Sequence, residues 1–202
     1  MGNKISVIIP AYREPYLGKT VQSLLDNAEG EVEIIPVFDG EESLDADKSL
    51  WTANNPRVKI VLIEHAGMRA AINAGIKASK GEWIMKTDAH CVFAPGWDTT
   101  MTKETQVDWL MIPRRYSVDE KTWDRNLKRP VIDYHYLSFP GDETRSDPKY
   151  GYSFQVMNTV KREVKEIDDT MAFQGSCWFA DREYFMKHIY PLDDKNYGSF
   201  AQ

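Results

Sequence analysis

No apolar run in the sequence approaches the roughly 20 residues that a bilayer-spanning helix requires, so no transmembrane segment is expected. Cysteine is scarce: Cys91 and Cys177 are the two there are, which makes no disulfide framework. Their separation neither requires nor forbids a bridge, and a reducing compartment is the default. Basic residues are not in excess either. With 25 Lys+Arg against 31 Asp+Glu the formal charge is −6, the reverse of the balance in a dedicated nucleic-acid binder, though a local basic patch around a phosphate stays compatible with it. Met1-Gly2-Asn3-Lys4 leads into a short strand rather than a signal peptide, and Gly2 has too few further matches to read as an acylation signal, so the cytoplasm is the expected location. What is present is ordinary globular composition, 42% hydrophobic and 28% charged over 202 residues, enough for one domain with a sizeable core.

The first half of the chain alternates. Lys4 to Pro10 (KISVIIP), Glu31 to Phe38 (EVEIIPVF), Arg57 to Ile63 (RVKIVLI) and Glu82 to Thr87 (EWIMKT) read as strands. Pro36 inside the second suggests a bulge or an edge position. Between them, Leu17, Val21, Leu24, Leu25 and Ala28 recur at helical spacing, as do Met68, Ala71, Ile72, Gly75, Ile76 and Ser79. This pattern predicts an α/β fold with a mostly parallel central sheet and helices on both faces. Ligands of such sheets bind beyond the carboxyl ends of the strands, where Tyr12 to Glu14, Asp39, and Asp88 to His90 fall.

After about residue 105 the alternation weakens. Val107 to Arg115 reads as a strand, 116 to 150 carries little periodicity, and Gln155 to Ile167 reads as a strand or a short helix. Met171 to Ala180 reads as a strand and Arg182 to His188 as a short helix. No linker divides the chain convincingly. The expected organisation is one domain over 1–202, with a nucleotide-binding half over about 1–105 and a smaller mixed lobe on the acceptor side over about 106–202.

The sharpest local signal is Thr87-Asp88-Ala89-His90-Cys91. A carboxylate and an imidazole two apart at a strand end can turn toward one cation. Mn²⁺ accepts both ligand types, and Mg²⁺ prefers the oxygen. An isolated D-x-H also reads as a strand-end cap beside an exposed histidine. Arg69 lies near a helix start, where its guanidinium and the backbone N–H groups could meet phosphate, or where it could be a solvated arginine. The run from Arg114 to Arg129 is rich in basic residues and reads as solvated surface or as an anionic-acceptor site. His65, His135 and His188 have no partner that sequence identifies.

Gly67 to Glu82 (GMRAAINAGIKASKGE), running into the Asp88-Ala89-His90 triplet, resembles the stretch that precedes the metal motif of GT-A-fold glycosyltransferases. Val7 to Glu14 (VIIPAYRE) resembles their opening strand and nucleotide loop, and Val37-Phe38-Asp39-Gly40 falls where they place a uracil-binding aspartate. The resemblance is to family 2 glycosyltransferases. In the D-x-H-Cys detail, in Trp109 to Trp123 and in Gln174 to Phe185 it leans toward the polypeptide N-acetylgalactosaminyltransferases. It implies a GT-A, Rossmann-like domain that transfers a sugar from a UDP-sugar donor to a hydroxyl acceptor.

By the same resemblance Pro10, Ala11, Tyr12, Glu14, Asp39, Arg69, Asp88 and Gly175 would bind the donor, and Asp88 and His90 would hold Mn²⁺ or Mg²⁺. Tyr12 would stack on or flank the base, and Gly175 would leave room for the sugar with Trp178 beside it. The run Leu192 to Gln202 resembles the approach to the family's acidic motif, so the catalytic base is expected downstream, with Asp193 or Asp194 as the alternative. The acceptor, the sugar and the stereochemical course stay open. A nucleotidyltransferase is the first competing reading, though Pro10 to Glu14 is not a Gly- and Lys/Arg-rich first loop. The second is a UDP-sugar-binding module without catalysis.

Overall fold

The computed structural model describes residues 4–40, 55–129, 132–138, 153–158, 166–169 and 175–195, with the backbone alone over 132–138 and 153–158. They fall into two compact units. Met1–Met111 with Ser176–Gln202 makes one, and Ile112–Gly175 makes the other.

The larger unit is built on β1 (Ile5–Ala11), β2 (Val32–Asp39), β3 (Val61–Ile63), β4 (Trp83–Thr87), β5 (Leu110–Met111) and β10 (Cys177–Asp181). Their spatial order is β3-β2-β1-β4-β10-β5. The first four are parallel neighbours, with Ile5 opposite Val32 on one side and Trp83 on the other. β10 enters antiparallel, setting Cys177 opposite Thr87 and Trp178 opposite Lys86. The mostly parallel α/β sheet expected of a GT-A domain is what forms.

Two apolar layers sandwich this sheet. On one face Val7, Ile9, Ala11, Met85 and Phe179 pack against α1 (Leu17–Asn27) and α3 (Trp97–Glu104). On the other, Ile8, Val37, Ile84 and Trp178 pack against α2 (Met68–Ala78) and α4 (Arg182–His188). The period-2 pattern of β1 decides which side chain joins which layer. A Cβ on Gly75 would overlap Ile8, so this position lets α2 settle onto β1.

Four sequence expectations need correction. Arg57 to Ile63 is not one strand: Val58 makes an isolated bridge to Ile34, and pairing resumes at Val61 opposite Val37. The gap lies beside Pro36, which has no N–H to offer; β2 is an internal strand, and its pairing with β1 runs through Pro36 opposite Ile9. Val107 to Arg115 shrinks to the two residues of β5, which pair with Phe179 and Ala180. β10 begins at Cys177, after a turn at Gly175 and Ser176 that interrupts the expected strand, and extends to Asp181. Residues 170–174 lie outside the described residues. So do 159–165 of the Gln155 to Ile167 segment, the run 196–202, Gly2, Phe139, Tyr150, Gly151 and Tyr152.

Helix α3 was not anticipated. It starts after Gly96 in the left-handed region (φ 68°), and buried Asp98 in its first turn accepts the backbone N–H groups of Glu29 and Gly30. The smaller unit carries two antiparallel pairs, β6 (Val118–Asp119) with β7 (Asp124–Arg125), and β8 (Ile132–Ser138) with β9 (Ser153–Asn158). Within the basic run Arg125 lies over the Tyr116 ring at 3.7 Å.

At the amino ends of β1 and β2 sits a closed polar network. Glu33 accepts from the Ser6 hydroxyl and from the Lys80 N–H, and Ser6 Oγ in turn accepts the Gly81 N–H at 2.7 Å. Burial alone would raise the Glu33 carboxyl, but these hydrogen bonds and the Lys4 and Lys59 ammonium groups hold it below its ordinary value. A Cβ on Gly81 would stand 2.7 Å from Lys4 O and Ser6 N, so the turn into β4 needs a glycine.

Candidate active site

The order of strands reverses between β1 and β4: β2 and β3 lie to one side of β1, and β4 to the other. The chain ends of these strands open the crevice where doubly wound sheets take ligands. Tyr12, Arg13 and Glu14 follow β1, Asp39 ends β2, and Asp88 to His90 follow β4. Tyr12 to Glu14, Asp39 and Asp88 to His90 therefore gather at one edge of one unit, while Gly175 belongs to the other. Pro10 is half-buried and Ala11 buried in register with Val37 and Phe38, so they shape the strand end.

Asp39 is buried (3% exposed) and heavily engaged. Its oxygens accept the backbone N–H groups of Ala66 at 2.7 Å and Gly67 at 2.9 Å, and Oδ2 lies 3.1 Å from His65 Nδ1. Gly67 has φ 92°, a conformation that costs glycine least, and this aims its N–H at the carboxylate. Tyr12 is 39% exposed and stacks on His65, with centroids 4.6 Å apart and planes 28° from parallel. Arg13, at φ 51°, lies over the same tyrosine at 5.3 Å. The result is an aromatic shelf, Tyr12 on His65, pinned from below by Asp39.

At the end of β4, His90 Nδ1 lies 3.1 Å from Glu14 Oε2, while Glu14 Oε1 accepts the Tyr16 N–H. A carboxylate on Nδ1 fixes the ring and leaves Nε2 as the outward ligand atom, which is how metal-binding histidines are usually held. The Asp88 N–H donates to Ser176 O at 2.9 Å, which locks that strand end to the residue before β10. Asp88 Oδ1 takes the Lys86 ammonium, and the lysine is wholly buried. Among the described residues Oδ2 accepts no hydrogen bond. One free carboxylate oxygen and one oriented imidazole suit a hard or borderline divalent ion whose other ligands come from elsewhere. No group of three His, Cys, Asp or Glu side chains that could hold an ion by itself exists among the described residues.

Cys91 and Cys177 are free thiols that flank this strand end. Burial, reinforced by the neighbouring Cys91, pushes Cys177 up to about 12, and burial also raises Cys91, so neither is a nucleophile near neutrality.

Arg69 donates from Nη1 to Asp193 O at 3.1 Å. Asn73 exchanges two hydrogen bonds with the Leu192 backbone and donates to Asp194 Oδ2 at 3.1 Å. α2 therefore carries the segment 192–194 on its first turns. Among the described residues a Cβ on Gly175 would meet nothing within 4 Å. Two residues of the site went unrecognised. His65 offers no signal until the fold brings it to Tyr12. Lys86 does offer one, a lysine inside an apolar strand two residues before Asp88.

The family model described as "Glycosyl transferase family 2" matches residues 6–189. Curated relatives include two uncharacterized glycosyltransferases of Bacillus subtilis (strain 168). EpsJ is 27% identical over 54% of this chain and 32% of its own length, and YwdF is 36% identical over 51% and 38%. Glycosyltransferase GlyA of Streptococcus pneumoniae is 30% identical over 58% of this chain and 18% of its own length. The chain thus spans about a third of the first two relatives. Among solved structures, S. aureus TarS 1-349 in complex with UDP matches 50% of this chain and 31% of its own, at 22% identity and a TM-score of 0.43.

Proposed function

The chain belongs to glycosyl transferase family 2, and from that premise we propose that it binds a UDP-sugar with a divalent cation and transfers the sugar to a hydroxyl acceptor. The observation that carries this reading is that the same edge of the sheet, at its switch point, carries the Tyr12–His65 shelf, the Asp88 carboxylate and an imidazole oriented by Glu14. A shelf for a flat base beside a cation site for a diphosphate is what a nucleoside diphosphate donor needs.

In this reading the base lies against Tyr12. Besides the Ala66 and Gly67 N–H groups it already accepts, the Asp39 carboxylate would accept the imide N–H of a uracil. Asp88 Oδ2 and His90 Nε2 would hold Mn²⁺ or Mg²⁺. When bound, the ion supplies Lewis-acid stabilisation of the departing diphosphate. Glu14 keeps His90 in the ligating tautomer. Arg69 is near enough to the start of α2 to meet phosphate, and while it holds Asp193 it ties donor and segment 192–194 together. Asp193 and Asp194 are the described carboxylates nearest the expected acidic motif. The D-x-H-Cys likeness to polypeptide N-acetylgalactosaminyltransferases bears only on this ligand set.

The test is calorimetry with UDP, CDP and GDP, with and without Mn²⁺. UDP should bind tightest and should lose at least tenfold on EDTA treatment, as expected when a cation bridges ligand and protein. Equal or tighter binding of GDP or CDP would refute the donor assignment, and EDTA-insensitive UDP binding would refute the cation.

A further inference from the structure

We propose that Lys86 is a resident counter-charge to Asp88 that makes the stay of a divalent cation at this strand end conditional on a diphosphate. The proposal rests on the cation and donor reading above and adds to it a residue that does not touch either ligand.

Among the described residues Lys86 is the one lysine or arginine that is buried, at 0% exposure. It stands in the middle of the sheet, opposite Ile8 of β1 and Trp178 of β10. Ile84, Lys86 and Asp88 follow the two-residue period of a strand, so ammonium and carboxylate share a side, and the two are in contact. A lysine in an otherwise apolar layer is costly unless its charge is matched, and Asp88 matches it.

That match changes what Asp88 can offer outward. A lone aspartate at a strand end presents a full negative charge to a cation. Here the charge is already offset from behind by an ammonium that water does not screen, and short-range Coulomb forces in such a setting are strong. A dication on Oδ2 would feel both partners. Metal alone therefore binds weakly. A nucleoside diphosphate adds oxygen ligands and negative charge, and the balance turns favourable when both arrive. Free cation does not occupy the site without donor, and release of the diphosphate releases the cation with it.

The experiment measures Mn²⁺ binding to the full 202-residue chain by the electron paramagnetic resonance of free Mn²⁺, without nucleotide and with UDP, and UDP binding by calorimetry. Wild type should hold Mn²⁺ at least roughly tenfold more weakly without UDP than with it. Lys86→Met removes the charge at similar volume and should strengthen nucleotide-free Mn²⁺ binding roughly tenfold or more. Lys86→Gln keeps a donor toward Asp88 without the charge and should do the same, while Lys86→Arg should track wild type.

Unchanged or weaker Mn²⁺ binding in folded Lys86→Met and Lys86→Gln would overturn the proposal; weakening would mean that Lys86 only positions Asp88. A measurable Mn²⁺ affinity of wild type that is the same with and without UDP would overturn it as well, and that comparison needs no variant to fold. If wild type fails to bind Mn²⁺ even with UDP but Lys86→Met binds it alone, the counter-charge stands and the donor reading falls. If nothing binds Mn²⁺ under any condition, both fall.

Discussion

Two carboxylates sit at opposite ends of the same sheet and are treated oppositely. Glu33, near the start of β2, is surrounded by donors that cannot leave: Ser6, the Lys80 N–H and the Lys4 ammonium 3.7 Å away. Asp88, beyond the end of β4, has one oxygen committed to Lys86 and the other without a partner among the described residues. The amino end is a closed network that ties β1, β2 and the turn before β4 together. The carboxyl end is a half-satisfied one, and half-satisfaction in the crevice of a doubly wound sheet is what leaves capacity for a ligand.

The largest effect expected of breaking this contrast is at Asp88. Asp88→Asn removes the carboxylate that the buried Lys86 ammonium contacts, so it should destabilise the fold by about 3–5 kcal/mol as well as abolish cation-dependent UDP binding. Adding Lys86→Met should recover most of the stability and none of the binding. Thermal melts of both single variants and the double variant, paired with calorimetry, check the non-additivity.

At the other end, Glu33→Ala should cost about 2–3 kcal/mol, because it strands the Ser6 hydroxyl and the Lys80 N–H. UDP binding, measured by calorimetry on the folded fraction, should not change. An effect on affinity equal to that of Asp88→Asn would erase the distinction between the two ends.

The same carboxylate predicts a pH dependence. The folded Glu33 group titrates below its ordinary 4.5. Its contribution is therefore complete above that value and is lost as pH falls through the lower, folded one. Urea titrations over that acid range should show a shallower decline in Glu33→Gln than in wild type.

The smallest effects belong to the shelf. His65→Ala should weaken UDP binding by roughly 0.5–1.5 kcal/mol, the range of one aromatic contact, and leave the melting temperature within a degree or two. A stability loss as large as that of Glu33→Ala would make His65 scaffold rather than site.

How much of this could be read without coordinates follows from what periodicity can carry. β1, α1, α2 and β4 announce themselves because each buries one regular face. β5 is too short to carry a pattern. Pro36 disguised an internal strand, because its missing N–H matters only on the side where β3 pauses. Helix α3 buries only Trp97, Asp98 and Met101, a pattern too sparse to register. In the site, the motif positions at β1, β2 and β4 were legible, but their pairings were not. The contacts of Tyr12 with His65, Glu14 with His90, and Arg69 with Asp193 join residues that only the topology makes neighbours. Asp39 shows the limit of a motif, since its carboxylate already serves the Ala66 and Gly67 backbone.

The place of β10 bears on how the chain is made. A ribosome delivers β1 to β5 long before it delivers Cys177–Asp181, yet that late segment lies between β4 and β5. Until it emerges, the nascent sheet ends on β4 with Ile84 and Met85 unpaired along one side, and β5 has no strand to join. An open edge of this kind invites pairing with another chain. Completion of the sheet is a late, long-range event, of the sort that slows folding and exposes intermediates to chaperones.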